Sequence, residues 1–410
     1  MDRRCFEIAR YAYERVPFYR QILYRKGISF EDLFYKDVLW SELPIIEKEE
    51  AAVHNDKLIS EDYLGLYARD KLISAHTSGS SGHQVDVYWT KDTYHRALLP
   101  LWVERWHQAG IHPKDRVCYF NTMLENGIPF QYEKNALIIS KANLTSDRLF
   151  DLTKEMIQFQ PKWLLLHPTI ALLLCEIVEQ KKIEFPSVHY IELTGEMIIP
   201  SLVDRLIQCF HCVVKGHYGS MEVNTIGYEY LQQKYKLFEN STYVEILDEN
   251  GNVMPDGETG YIYVTSLQNR AMPFIRYGLG DMGFLERQRT EEGEIKLLNL
   301  SYGKRGEFIQ CYDGTEISAD VLLEPVLWLS NRGEKIVVQM MAKQVSKREL
   351  QADFVIDDEI EQCEFINFYL QHLDSRISER FNLTFNFMKN VQNPNRKTGK
   401  ARWFEGLSPK

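Results

Sequence analysis

The stretch Thr77-Ser78-Gly79-Ser80-Ser81-Gly82 follows the apolar Leu72-Ile73-Ser74 and precedes the alternating Val85-Asp86-Val87-Tyr88. A turn built of Ser, Thr and Gly between two strands exposes backbone N–H groups and hydroxyls at close range, which suits the oxygens of a polyphosphate. It does not have the G-x-x-x-x-G-K-[ST] form of a P-loop, and on its own it also reads as an ordinary turn. Further along, Tyr218-Gly219-Ser220-Met221-Glu222 follows an apolar strand. It offers a ring that can stack on a purine and, four residues on, a carboxylate that can face a metal-bound phosphate. Arg276-Tyr277-Gly278-Leu279-Gly280-Asp281 reads as a turn with two glycines that presents one aspartate, either to a pair of hydroxyls or simply as a β-turn Asp. Pro394 to Arg402, which holds Lys400, reads by itself as a solvated basic tail.

Alternating elements must position these pieces. The first 75 or so residues are amphipathic and predict helices, as in Phe6 to Tyr13 and from Pro44 through Val53. From Leu72 strands alternate with helices. The strands are Arg116–Phe120, Trp163–Leu166, His189–Leu193 and Val213-Val214, and the helices lie near 144–159, 170–180 and 201–209. That alternation predicts a largely parallel sheet. Tyr243–Leu247 and Tyr261–Thr265, joined through Asp248-Glu249-Asn250-Gly251, predict antiparallel strands with tight turns. The last ~105 residues predict a small α+β piece: a strand at Ile336 to Met341, polar connections, a helix from Glu361 to Arg380 and a strand at Thr384 to Met388. The expected fold class is therefore α/β. A large N-terminal domain, residues 1–302, has mixed and parallel sheets flanked by helices and a small antiparallel β subdomain. A small mobile C-terminal α+β lid follows at 303–410, with its joint at Gly303-Lys304-Arg305-Gly306.

Composition narrows the classes. A chain of 410 residues allows about two or three domains. With 44% apolar and 26% charged residues it is neither disordered, collagenous nor a disulfide scaffold. A net charge of −10 argues against broad binding to nucleic acid or anionic membrane, while leaving room for a local basic site. The longest apolar stretch, Trp163 to Leu174, is interrupted by His167 and Pro168, so no transmembrane helix is expected. No apolar run follows Met1-Asp2-Arg3-Arg4, so no secretory leader is expected either. The seven cysteines are odd in number and scattered, which suits a reducing cytoplasm. Cys209-x-x-Cys212 lacks a second ligand pair and reads as small core residues rather than a zinc or redox site.

The order of the four pieces resembles the adenylate-forming superfamily. The wording is most similar to its phenylacetate–CoA ligase branch, where a Pro-Asp-Gly-Glu-x-Gly strand pair precedes Ala-Met-Pro-x-Ile-Arg-Tyr. Here these are Pro255-Asp256-Gly257-Glu258-Thr259-Gly260 and Ala271-Met272-Pro273-Phe274-Ile275-Arg276-Tyr277, and the likeness runs from about residue 5 to residue 404. The resemblance implies that Thr77, Ser78, Gly79, Ser80, Ser81 and Gly82 hold the β- and γ-phosphates of ATP, and that Gly195 and Glu196 line the adenine. It implies that Tyr218, followed by Gly219, stacks on the adenine ring, that Asp281 takes the ribose hydroxyls and that Arg305 joins the nucleotide contacts. Glu222 would face Mg²⁺, and Lys400 would reach from the lid to the substrate carboxylate and the α-phosphate. An acid pocket would be lined by Phe120, Met123, Phe130, His167, His217 and Met221, residues that equally suit an ordinary core, with His167 reading more naturally as a hydrogen-bonded interior histidine than as a base.

The activity implied is ATP- and Mg²⁺-dependent conversion of a carboxylic acid, aryl or small acyl, to an acyl-adenylate. Transfer to a thiol follows, on CoA or on the phosphopantetheine of an acyl carrier protein; a homodimer is a further expectation. Three departures stand out: His83-Gln84 where relatives carry Lys-Pro, Gly278-Leu279 in place of Arg-Thr, and Gly306 where relatives place the hinge aspartate. They leave two alternatives open, transfer of AMP to a hydroxyl acceptor and a non-enzymatic nucleotide-binding assembly protein.

Overall fold

The computed structural model describes residues 3–35, 38–77, 84–121, 124, 127–231, 233–291, 293–304, 307–331, 337–356, 361–389 and 403–407. The fold is mixed α/β. By compactness the chain forms two units, each made of two segments: Met1–Gln108 with His217–Ser301, and Ala109–Gly216 with Tyr302–Lys410.

The first unit begins with the helices Arg3–Arg15 and Pro17–Arg25. Cys5, Phe6, Ile8, Ala9 and Ala12 recur at helical spacing and are buried, so this face must pack inward. Pro17 starts the second helix because its missing N–H costs nothing at the first helical position. Ile73–His76 and Asp86–Trp89 form an antiparallel pair. The remaining strands lie in the order Thr242–Leu247, Gly260–Ser266, Tyr277–Thr290, Gly293–Lys304, Lys234–Leu237, Asn224–Leu231 and Val213–Ser220. The expected antiparallel pairing of 242–247 with 260–266 is present. One expectation changes: Tyr277 to Asp281 is not a turn but the start of a long strand. Pairing with Gly260–Ser266 slips between Tyr261 and Tyr263, and Gly280, at φ +80°, supplies the left-handed residue of the resulting bulge.

The second unit carries the parallel strands Val117–Asn121, Ala136–Ser140, Trp163–Leu166 and Tyr190–Thr194, with Phe130–Glu133 as an antiparallel edge. Helices Ser146–Phe159, Pro168–Lys181 and Pro200–Phe210 connect or follow them. Helix Pro168–Lys181 is buried along most of its length, which explains why its sequence reads as an almost unbroken apolar run. Cys209 lies in the last turn of the last of these helices, His211 caps it at φ +49°, and Cys212 is buried; every cysteine is a free thiol. The rest of this unit has a hairpin, Phe308–Gln310 with Glu316–Ser318, and a four-stranded sheet in the order Asn382–Phe387, Glu349–Ile356, Val337–Ser346, Phe404–Glu405. Its own core centres on Phe354, Phe365 and Tyr369. Met197 packs against that core, and the Ser201 hydroxyl donates to the Val337 carbonyl at 3.3 Å.

Two expectations for this segment change. Glu349–Ile356, read from sequence as polar connection, is the strand to which two others pair. The helix expected from Glu361 to Arg380 is Gln362–His372 followed by the short turn Ser375–Ser378. Leu373 is extended, and the Asp374 carboxylate accepts the Arg376 N–H, so a new helical start replaces continuation. Ile336 lies outside the described residues. Among the described residues no helix is long and apolar enough to cross a membrane.

Candidate functional site

Two polar groups stand out, one in each unit. In the first unit the strand Val213–Ser220 presents Tyr218, whose hydroxyl donates to Asp281 Oδ2 at 2.9 Å. The strands bearing the two residues stand four places apart in the sheet order, about 19 Å on a flat sheet, so the bond requires the sheet to curl. Burial, reinforced by the charge of Asp281, pushes the Tyr218 phenol well above its ordinary pKa, which keeps it a neutral donor. Gly219 is demanded by packing: a Cβ there would sit 2.3 Å from the Asn224 carbonyl oxygen and 3.1 Å from Nε2 of His217.

Glu222 follows and is only 5% exposed. One of its oxygens accepts the Tyr277 hydroxyl at 2.9 Å. Burial first, then the Glu222 carboxylate, raises the Tyr277 phenol far above its usual range, so it too stays a donor. Tyr277 starts its strand directly after Arg276, a buried residue held at φ +47°. The Arg276 guanidinium donates to the Ser41 and Leu43 carbonyls and lies 3.4 Å from Glu245, which also accepts Trp40 Nε1 at 2.8 Å. Arg276 thus ties the 40–46 segment to the strand that carries Tyr277 and Asp281, a clamp that makes its unusual backbone affordable. Thr77 is buried; its N–H donates to the Val85 carbonyl and its hydroxyl accepts the Val85 N–H, which closes the base of the serine-rich stretch. Met221 is 55% exposed and His217 half-buried beside Gly219. Ser78, Gly79, Ser80, Ser81, Gly82, Arg305, Lys400 and Met123 lie outside the described residues.

In the second unit polar side chains gather at the C-terminal ends of the parallel strands. Lys141 follows Ala136–Ser140, His167 follows Trp163–Leu166, and Gly195-Glu196 follow Tyr190–Thr194. Lys141 Nζ is 3.3 Å from His167 Nε2, and His167 Nδ1 is 3.5 Å from Glu196 Oε1. Glu196 Oε2 accepts both the N–H and the hydroxyl of Thr169, at 2.9 and 2.7 Å. Burial works against the Glu196 carboxylate, but His167 and Thr169 together outweigh it and hold its pKa below the ordinary value. Gly195 sits at φ +79°, where a Cβ would come within 3.2 Å of the imidazole. The Glu196 carboxylate is thus engaged in its own unit's interior. Phe120 belongs to the apolar core and Phe130 packs on the core's margin, so both rings are committed to packing.

Among the described residues no three His, Cys, Asp or Glu side chains cluster as metal ligands. Mg²⁺ bound to a nucleotide needs little more than one or two carboxylates beside the phosphates, and Glu222, with one oxygen engaged by Tyr277, fits that demand. Sequence reasoning missed the role of Tyr277, whose spacing to Asp281 repeats that of Tyr218 to Glu222, and it missed Lys141 altogether. A lysine one residue beyond the apolar run Leu137-Ile138-Ile139, after Ser140, was the available signal.

Comparison with known proteins gives a consistent result. The family described as AMP-binding enzyme matches residues 43–270. A phenylacetate-coenzyme A ligase of Thermus thermophilus is 24% identical over 305 residues, 69% of this chain and 64% of that protein. One from Pseudomonas putida is 25% identical over 291 residues, 67% of this chain and 63% of that protein. These matches therefore span under two thirds of the relatives' own length. A crystal structure of 2-hydroxyisobutyryl-CoA ligase in the postadenylation state superposes with a TM-score of 0.72 at 16% identity, over 98% of this chain and 88% of that one. An anthranilate CoA ligase in complex with anthranoyl-AMP gives a TM-score of 0.56 at 14% identity, over 81% of this chain and 66% of that one. Likeness at such identities is one of fold.

Proposed function

Because the chain belongs to the AMP-binding enzyme family and resembles its phenylacetate–CoA ligase branch, we propose that it activates a carboxylic acid with ATP as an acyl-adenylate and then passes the acyl group to the thiol of coenzyme A. The observation that carries this reading is the paired bonding of Tyr218 with Asp281 and of Tyr277 with Glu222. A neutral ring, a carboxylate held for hydroxyl recognition and a second carboxylate close by in the chain are what a nucleotide requires.

The chain's own groups have distinct tasks. The Tyr218 ring stacks on the adenine while its hydroxyl orients Asp281, which accepts from the ribose hydroxyls in a charge-assisted contact. Thr77 anchors the loop of 78–82, whose N–H groups and hydroxyls take the β- and γ-phosphates. Glu222, oriented by Tyr277, would hold Mg²⁺ together with those phosphates; when bound, the ion supplies positive charge beside them. The substrate carboxylate is already ionised at neutral pH and needs no general base. As its oxygen bonds to the α-phosphorus, the bond from that phosphorus to pyrophosphate breaks, and the Lys400 ammonium offsets the charge that develops. The thiol sulfur then bonds to the acyl carbon and AMP leaves. The phosphopantetheine of a carrier protein presents the same thiol.

Exchange of labelled pyrophosphate into ATP across a panel of acids tests the first half, and the mass of the product formed with CoA tests the second. ATP binding without exchange for any acid would overturn the proposal. AMP retained on an acceptor would instead select hydroxyl transfer, the alternative that Gly306 at the hinge position favours.

A further inference from the structure

Within the second unit a cavity of about 410 Å³ opens at the N-terminal ends of three parallel strands, the ends opposite His167 and Glu196. Each strand delivers one basic residue to it. Arg116 precedes Val117–Asn121, Lys162 precedes Trp163–Leu166 and His189 precedes Tyr190–Thr194. The three are neighbours across the sheet: the Lys162 N–H donates to the Arg116 carbonyl and the His189 N–H to the Lys162 carbonyl, both at 2.8 Å. Adjacent strands stand about 4.8 Å apart, so these side chains start within reach of one small ligand. Lys114 joins them from just before the first strand. Scattered surface cations need no explanation, but here separate stretches of sequence converge on one concavity.

The charges do not cancel. Asp115 is the one carboxylate in the lining, and its Oδ2 accepts Lys162 Nζ at 2.8 Å and the His112 N–H at 2.7 Å. Lys162 also donates to the Gly110 carbonyl at 3.0 Å, so it is a fixed charge in the cavity wall. Lys114 and Arg116 are exposed, and among the described residues neither has a carboxylate partner. The Arg116 guanidinium lies 5.9 Å from the Phe159 ring centroid, a contact that leaves its N–H fork for another acceptor. Two cations thus stand uncompensated in a chain whose net charge is −10. Like charges on neighbouring strands repel, so the arrangement costs stability unless an anion joins it. Gln160 and Ser187 add a neutral amide and a hydroxyl to the lining.

We propose that this cavity binds the phosphate group of a small, hydroxyl-bearing phosphate monoester, at a site that no step above uses. The match is one of charge and shape. A phosphate monoester carries roughly −1.5 to −2 at neutral pH, close to the charge that Lys114 and Arg116 leave unmatched, whereas a carboxylate carries one. Arg116 presents a planar fork that can take two phosphate oxygens at once, Lys114 adds a point charge on a flexible stem, and His189 adds a ring N–H. Gln160 and Ser187 suit hydroxyls on the rest of the ligand.

The test is calorimetric titration of the whole chain, at low ionic strength, with ribose 5-phosphate, inorganic phosphate and methyl sulfate, the last a monoanion of similar shape. Ribose 5-phosphate is expected to bind at least about 10-fold more tightly than methyl sulfate. In Arg116→Gln and in Lys114→Gln its affinity is expected to fall by about 10-fold or more, the value of a charge-assisted hydrogen bond. Arg116→Lys, which keeps the charge and loses the fork, should lie between. No binding of either phosphate, equal binding of methyl sulfate, or an affinity unchanged in both glutamine variants would overturn the inference. Tighter binding of inorganic phosphate than of the ester, lost in the same variants, would overturn the ester and leave a site for phosphate itself. Ligand-free urea midpoints of the variants are expected to match or exceed the wild type, because repulsion is relieved. Should Arg116→Gln be destabilised through its Phe159 contact, Lys114→Gln decides alone: an unchanged affinity overturns the inference and a reduced one supports it. None of these outcomes depends on acid activation, so a failure of that reading would leave this one standing.

Discussion

The polar groups of the two units are assembled in opposite ways. In the first, Tyr218 and Glu222 lie within one pentapeptide and Tyr277 and Asp281 within another, and the two segments bond pairwise. In the second, single residues at three strand ends meet across long stretches of sequence: Lys141, His167 and Glu196. A group made from short segments can be recognised as text, because the spacing that makes the geometry is the spacing in the chain. A group made one residue per strand is set by strand order, which no local pattern encodes.

This contrast can be broken most severely where charge acts on chemistry. Lys400→Ala is expected to slow adenylate formation by roughly 10²–10³, the value of one well-placed charge donor, with ATP affinity little changed. Asp281→Ala should do the reverse, weakening ATP binding by about 10- to 100-fold through loss of charge-assisted contacts. Single-turnover rates and equilibrium binding of ATP separate the two. If both variants lose affinity alike, the assignment of separate tasks to these residues fails.

Each group also contains a glycine, and the two should differ. At Gly219 an added Cβ meets a backbone oxygen at 2.3 Å, an atom that can yield only if the strand pair moves. Gly219→Ala is therefore expected to destabilise by the upper part of ~1–3 kcal/mol and to weaken ATP binding with it. At Gly195 the neighbour is a side chain at 3.2 Å, and the strain comes mainly from φ +79°. Gly195→Ala should cost about 1–2 kcal/mol and lower ATP affinity less than Gly219→Ala does. Denaturant midpoints and ATP titrations of both variants check this; equal losses of ATP affinity would show that the two groups are not separable.

The sequence disclosed the α/β alternation, the antiparallel pair 242–247 and 260–266, and Tyr218, Glu222 and Asp281 as residues worth attention. It misjudged elements whose geometry depends on partners. Glu349–Ile356 alternates polar and apolar residues from Glu349 to Phe354, a period-two signal that a reading as polar connection overlooks, and it has a strand on each side. The glycines of 278 and 280 read as a turn, but they serve a bulged strand in which Gly278 lies close under Tyr263 and Glu47. Arg276 read as part of a nucleotide motif, whereas its side chain is buried on Glu245 and the carbonyls of Ser41 and Leu43. Partners more than 200 residues away in sequence cannot be inferred from spacing.

The smallest effect concerns pH, where the two units should respond with opposite sign. The Glu196 pKa is held below its ordinary value of 4.5 in the folded chain. Above 4.5 its contribution to stability is complete; as pH falls through the lower folded value the carboxylate takes up a proton and the contribution is lost. Glu245 is the inverse. Burial outweighs Arg276 and Trp40 and lifts its pKa, so between 4.5 and the folded value the native state binds the extra proton, and stability declines as pH rises. Urea midpoints measured from acid to neutral pH should therefore flatten on the acid side in Glu196→Gln. In Glu245→Gln the midpoint should lose its downward drift above pH 4.5, whatever the overall destabilisation from weakening the Arg276 pair. The same sign of change in both variants would mean that His167 and Thr169 do not prevail over burial at Glu196.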